Sequence, residues 1–176
     1  MNNLNSINPT HALCFSGHRP SRLPGSGDPA SPEIQHLTDA LQETLIAAIG
    51  RGKTTFLHGC MAGWDIICAE QVILLKEHYP HVKLVSVAPY QAAFFSRETC
   101  WTPDWISRAR DVFSRHDAGI KIAGHYRAGV YYERNRLLVE RSSELVCYWD
   151  GGSGGTKYTI ERAGEKGLAV HNLHAS

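Results

Sequence analysis

Short apolar runs alternate with stretches of helical periodicity along the whole chain. Residues 1–10 are polar and irregular and read as a flexible lead-in. Ala12-Leu13-Cys14-Phe15 is apolar throughout, long enough for a buried strand, and stops at Ser16-Gly17-His18-Arg19-Pro20. Residues 21–32, with Pro24, Gly25, Gly27, Pro29 and Pro32, have loop composition. Ser31 is a candidate N-cap with Pro32 at the first helical position. Ile34, Leu37, Leu41, Leu45, Ile46 and Ile49 follow at helical spacing until Gly50 and Gly52. Residues 54–58 read as a strand, Gly59 to Asp65 as a loop, and 66–77 as a helix closed by His78-Tyr79-Pro80. A third strand spans 82–88 and is stopped by Pro89. The segment 90–117, with Trp101 and Trp105, reads as one or two helices, and 118–123 as a short strand. A helix over 131–143, a strand over 145–149, a glycine-rich loop over 150–156, a helix over 157–166 and a strand over 168–173 complete the series.

Strands alternating with helices predict an α/β domain with a mostly parallel sheet. The strand cores are continuous apolar runs, as expected where helices cover both faces. In such sheets, ligands sit outside the carboxyl ends of the strands, at a topological switch point. Three loops that follow strands are rich in glycine and polar residues: Ser16 to Arg19, Gly59 to Asp65, and Asp150-Gly151-Gly152-Ser153-Gly154-Gly155-Thr156. Glycine lets backbone approach a ligand closely, and N–H groups at a helix start bind an anion. Arg19 offers a bidentate phosphate contact, and Thr156 offers a helix cap and a donor to a phosphate oxygen. Asp65 fits either a charge at a helix start or an acceptor for a ribose hydroxyl. Each loop alone is compatible with plain turn chemistry; three on one sheet edge point to a phosphate-bearing ligand.

A fourth element, Tyr131-Tyr132-Glu133-Arg134-Asn135-Arg136, is either a solvated helix start or a place where Arg134 and Asn135 reach the ligand. Tyr90, Trp101, Tyr131 and Tyr132 could stack on a base or belong to core and rim. His58 ends a strand and faces either the site or the core. Cys60 is either a reactive thiol at a helix start or a small packing residue. The chain has neither a Walker A motif nor an ordered G-x-G-x-x-G fingerprint, which argues against ordinary NTPase and dehydrogenase chemistry.

Composition narrows the classes. The 176 residues fit one domain, 1–176, and 43% are hydrophobic, enough for a sizeable core. Lys plus Arg is 18 and Asp plus Glu is 17, a balance that does not favour a nucleic-acid partner. Five scattered cysteines without a C-x-x-C pair argue against a disulfide scaffold, and the ten histidines form no H-E-x-x-H or close metal pair. No run approaches the ~20 apolar residues of a membrane span, and the Asn/Ser start has no signal pattern. A cytoplasmic protein with no membrane partner is the expectation.

Ser16-Gly17-His18-Arg19-Pro20 resembles the first-strand signature of YpsA-type proteins of the SLOG superfamily. Gly59 to Asp65 resembles that family's Gly-Gly-Ala-x-Gly-x-Asp segment, with Cys60 and Met61 as departures. Glu70, Leu75, Lys76 and Tyr79-Pro80, then Arg134-Asn135, then Asp150-Gly151 with Gly154-Gly155-Thr156-x-x-Thr159, continue the match in order; residues 90–127 match least. The resemblance implies a Rossmann-like three-layer α/β/α domain of bacterial or phage origin. It implies a nucleotide or nucleotide-derived ligand such as NAD or ADP-ribose, no other cofactor, and a homo-oligomer. The superfamily includes the DNA-processing protein A fold and the Lonely Guy phosphoribohydrolases, and YpsA-type proteins are linked to bacterial cell division and stress responses.

Lonely Guy enzymes carry an Arg in a Glu-Arg-Lys-like segment and a Pro-Gly-Gly-x-Gly-Thr-x-x-Glu loop. Glu133-Arg134-Asn135 resembles the first, but the position three after Thr156 is Thr159, and Glu161 lies two further on. On a helix that displacement turns a side chain by about 200°. The carboxylate that glycosidic cleavage needs is therefore absent from its expected place, leaving Asp65, Arg134 and Asp150 as catalytic candidates. The resulting expectation is a nucleotide-binding sensor or sequestering module. Its ligand contacts are Ser16, Gly17, His18, Arg19, Gly59, Gly63, Asp65, Arg134, Asn135, Asp150, Gly154, Gly155 and Thr156. The alternatives are a nucleotide hydrolase of the phosphoribohydrolase or N-glycosidase type, and a DNA-binding or division-associated scaffold.

Overall fold

A computed structural model describes residues 6–91 and 99–175. The first strand, β1 (Ala12–Gly17), leads through two 3-10 turns, Pro20–Arg22 and Pro24–Gly27, into α1 (Pro32–Gly50). There follow β2 (Thr55–His58), α2 (Trp64–Leu75), β3 (Lys83–Tyr90), α3 (Pro103–Arg115), β4 (Ala118–Ala123), α4 (Val130–Glu140), β5 (Glu144–Tyr148), α5 (Gly155–Lys166) and β6 (Ala169–Asn172). All ladders are parallel, in the order β4-β3-β2-β1-β5-β6. This is a Rossmann-like α/β sheet. No helix among the described residues is long and apolar enough to cross a membrane.

Alternation along the strands divides the core in two. Leu13, Phe15, Phe56, Leu84 and Val146 face one side with the apolar residues of α1, α2 and α3. Cys14, Leu57, Val85, Leu145 and Cys147 face the other, against Leu138 and Val139 of α4 and Ala163 of α5. Ser31 caps α1, its Oγ accepting from the N–H of Ile34 at 3.3 Å. α2 packs between α1 and α3 on the sheet, and its buried residues extend around the helix from Trp64 to Ala69.

The chain builds outward from β1 through β2, β3 and β4. It then crosses back through α4 to add β5 and β6 on the other side of β1. The strand order reverses between β1 and β5, so the carboxyl ends of these two strands form the switch-point crevice.

Three local expectations are corrected. Part of the supposed lead-in, Pro9–His11, is a 3-10 turn capped by Asn8, whose side chain accepts from Thr10 N at 3.1 Å; residues 1–5 lie outside the described residues. Pro89 does not stop β3, which runs through it to pair Tyr90 with Ala123. A proline near a strand end forfeits a single ladder donor. The expectation of one or two helices within 90–117 is met by one, α3; residues 92–98 lie outside the described residues. The edge strand β6 keeps Ala169, Val170 and Asn172 exposed, so helices do not cover both of its faces.

Candidate functional site

Two glycines set the geometry behind the crevice. Gly63 precedes α2 with φ +97°, and a Cβ there would stand 2.5 Å from the His18 carbonyl oxygen. Its absence lets Trp64 N donate to that oxygen at 3.1 Å, tying the end of β1 to the start of α2. Gly59 accepts a hydrogen bond at its carbonyl from Arg134 Nη1, and a Cβ on Gly59 would occupy the place of the guanidinium.

Arg134 lies on the face of α4 that carries Val130 and Leu138 into the protein. It is 5% exposed and Asn135 is 8% exposed, so these two residues are turned inward while Tyr132 and Arg136 of the same stretch stay exposed. Arg134 Nη1 lies 3.4 Å from Asp65 Oδ2, which also accepts from the N–H of Met61 at 3.2 Å. Burial pushes the Asp65 carboxyl upward; the charges of Arg134 and Arg19 oppose that shift. The Nε of Arg134 is buried and has no hydrogen-bond partner among the described residues.

α5 begins directly from the glycine-rich loop. Gly154 is its N-cap at φ +132°, no side chain caps it, and its first turn holds no acidic residue. Thr156 therefore sits inside the first turn and does not cap the helix as the sequence suggested. Asn135 Nδ2 donates to the Gly155 carbonyl at 3.3 Å, joining α4 to the start of α5. Thr159 is fully buried and its Oγ1 donates to the same carbonyl at 2.8 Å. Glu161 points to solvent and pairs with Lys157.

A clasp joins the loops after β1 and β5. Arg22 grips Asp150 with both Nε, at 3.1 Å from Oδ2, and Nη2. The Gly152 N–H, donating at 2.9 Å, and Arg22 hold the Asp150 carboxyl well below the usual carboxylate range. His18 is 5% exposed, and burial together with the Arg22 charge lowers its pKa. Its neutral Nε2 accepts from the Asp150 N–H at 3.2 Å and lies 2.9 Å from Oδ1, a contact that becomes an ion pair on protonation.

These pieces enclose a cavity of about 420 Å³, within the range of small-molecule sites. Ser16, Gly17, His18 and Arg19 line it from β1 and its loop, Asp65, Arg134 and Asn135 from the helices, and Gly154, Gly155 and Thr156 from the start of α5. Gly59, Gly63 and Asp150 do not line it; they seat Arg134, the β1 end and Arg22 respectively. The cavity also takes in Ser21, Arg22, Tyr131, Tyr132 and Ser153, beyond the contacts expected from the sequence. Tyr131 and Tyr132 were legible as stacking candidates. Arg22 carried no signal, because its partner is 128 positions away.

The other candidates belong to the interior. His58 is fully buried, with Nε2 2.7 Å from Ser86 Oγ, and Ser86 Oγ is 2.8 Å from His116 Nδ1. Cys60 is fully buried and its thiol is pushed up to about 12, so it is a packing residue. Tyr90 and Trp101 are core residues. Among the described residues no three His, Cys, Asp or Glu side chains cluster as metal ligands would.

The profile of the YpsA family, described as the YspA SLOG family, matches residues 13–172. The chain belongs to this SLOG family. Relatives of this YpsA-family chain include a UPF0398 protein of Bacillus pumilus, 25% identical over 154 residues, 86% of this chain and 80% of the relative. Another, from Bacillus anthracis, is 25% identical over 166 residues, 93% of this chain and 87% of the relative. Two solved structures share the fold. DNA processing protein A from Streptococcus pneumoniae has a TM-score of 0.58 at 13% identity, over 95% of this chain and 50% of that one. The Helicobacter pylori protein of the same name, described with a single-stranded DNA binding mode, has a TM-score of 0.59 at 14% identity, over 95% and 66%. The YpsA-family chain thus spans half to about two thirds of those structures.

Proposed function

We propose that this chain binds a nucleotide or nucleotide-derived ligand through its phosphate, in the cavity at the carboxyl ends of β1 and β5, as a sensor or sequestering module. Arg134 carries the reading. It is a buried guanidinium in the cavity wall whose Nε has no partner among the described residues, although a buried N–H ordinarily has one. The start of α5 borders the same space without a side-chain cap, so backbone N–H groups and the helix dipole favour an anion there. Arg19 and Arg22 add positive charge, and Ser16, Ser21, Ser153 and Thr156 add hydroxyl donors.

The residues favour binding over turnover. Asp65 is the one carboxylate among the described residues lining the cavity, and it faces Arg134. A hydrolase reading rests on Asp65 alone, since Asp150 is held by Arg22 and Glu161 faces solvent. A second reading is single-stranded DNA, whose phosphodiesters present the same oxygens; the single-stranded DNA binding mode of the Helicobacter pylori protein that shares the fold motivates it.

A thermal-shift panel of NAD, ADP-ribose, AMP and a single-stranded oligonucleotide, on wild type, Arg22→Ala and Thr156→Val, tests both. A bound nucleotide raises the midpoint by mass action, and the rise shrinks in both variants. No rise with any nucleotide overturns the proposal. A rise with the oligonucleotide alone, lost steeply with salt, transfers the site to DNA.

A further inference from the structure

The cavity has an aromatic mouth as well as a cationic floor. Tyr132, in the first turn of α4, lines the cavity and is 51% exposed. Its ring centroid lies 4.8 Å from that of Tyr158 on α5, with the planes at 78°. An edge-to-face pair covers at most one face of a ring, so at least one face of Tyr132 stays open. Tyr158 stands less than one turn beyond Gly155 and Thr156, which places the pair beside the anion-binding start of α5.

The other aromatic residues do not combine these properties. Tyr90 and Trp101 are 3% and 7% exposed and belong to the core. Tyr131 lines the cavity, but it packs against the core and against the rings of Tyr90 and Tyr126. Tyr158 has Arg162 over its ring at 5.9 Å.

We propose that Tyr132 is the stacking platform for a nucleobase, so the ligand is a base-bearing nucleotide and not a sugar phosphate alone. This rests on the phosphate reading above. The phosphate lies at the start of α5 and the base on the neighbouring Tyr132. Stacking uses the π-face that every base has, so the platform selects for the presence of a base more than for its identity. The ring carries the effect; the hydroxyl is not required.

Calorimetry of the full chain with AMP, UMP and ribose 5-phosphate, on wild type, Tyr132→Phe, Tyr132→Ala and Arg22→Ala, separates the two readings. In wild type, AMP and UMP bind about tenfold or more tighter than ribose 5-phosphate. Tyr132→Phe keeps that preference. Tyr132→Ala brings both nucleotides close to the affinity of ribose 5-phosphate, which itself is unchanged. Arg22→Ala weakens all three in parallel. Equal binding of nucleotides and ribose 5-phosphate in wild type, or a preference that survives Tyr132→Ala, overturns the platform and leaves the phosphate reading standing. Binding by none of the three overturns the platform, and with no rise for NAD or ADP-ribose in the thermal-shift panel it overturns the phosphate reading as well.

Discussion

Gly59 and Arg134 are matched to one another: the missing side chain of the first is the space the second occupies. Gly59→Ala displaces the guanidinium and separates it from Asp65, with an overpacking cost of about 1–3 kcal/mol. Unfolding in urea measures that loss, and calorimetry on the folded variant shows nucleotide affinity falling with it. The next residue, Cys60, adopts φ +64°, a left-handed conformation that favours glycine. The family signature has glycine at that place, and this chain accommodates a buried cysteine instead. His58 makes a residue-scale prediction of a different kind. Burial, assisted by the nearby charges of His116 and Arg134, lowers its pKa to about 3. The folded pKa lies below the unfolded value of about 6.5, so the stabilising contribution is complete above pH 6.5 and is lost as pH falls towards 3. At pH 5 the loss is about 2 kcal/mol. Denaturant titrations at pH 7.5 and 5.0 measure it, and His58→Leu flattens that part of the slope.

At the scale of elements, the site is held by helix ends. Lys166, in the last turn of α5, donates to the carbonyls of Val139, at 2.9 Å, and Glu140, at 2.5 Å, at the end of α4. These contacts lock together the two helices whose opposite ends carry Arg134 and Thr156. Lys166→Met removes a donor from the Glu140 carbonyl and one of the donors from that of Val139, which also accepts from Ser142 N at 3.2 Å, and lowers stability by about 1 kcal/mol in urea unfolding. Elements differed in how legible they were. β1 and β5 read correctly because both faces are buried, which makes their sequences apolar throughout. α1 carried a cap, a proline and a regular stripe. α3 is less distinct, because it buries only Trp105, Ala109 and Val112 and lies on the outside of α2. Pro89 misled because the strand could spare its N–H.

In the whole molecule, the two ends of the sheet have separate tasks. At the amino end, Glu144 gathers Arg51, at 2.6 Å, Lys53, at 3.4 Å, and His171, at 3.1 Å, and so ties the end of α1 to the starts of β2 and β5 and to β6. At the carboxyl end, polar groups remain directed at a cavity. The three glycine loops were legible as a set because topology brings strand ends together, and Arg134 and Asn135 were legible as neighbours in sequence. The Arg22–Asp150 clasp was not, since ion-pair partners far apart in the chain leave no periodic or local mark. The division between Gly154, Gly155 and Thr156, which line the cavity, and Gly59 and Gly63, which shape its back, also depends on packing alone.

The central claim is that the start of α5 and Arg134 share one bound phosphate-bearing ligand. The most direct measurement is a proton–nitrogen correlation titration of the labelled protein with AMP, ADP-ribose and NAD. With at least one of them, the backbone amides of Gly154, Gly155 and Thr156 and the Arg134 Nε–H move first and saturate together. Spectra that do not respond to any of the three, or shifts confined to α3 and β4, would contradict it.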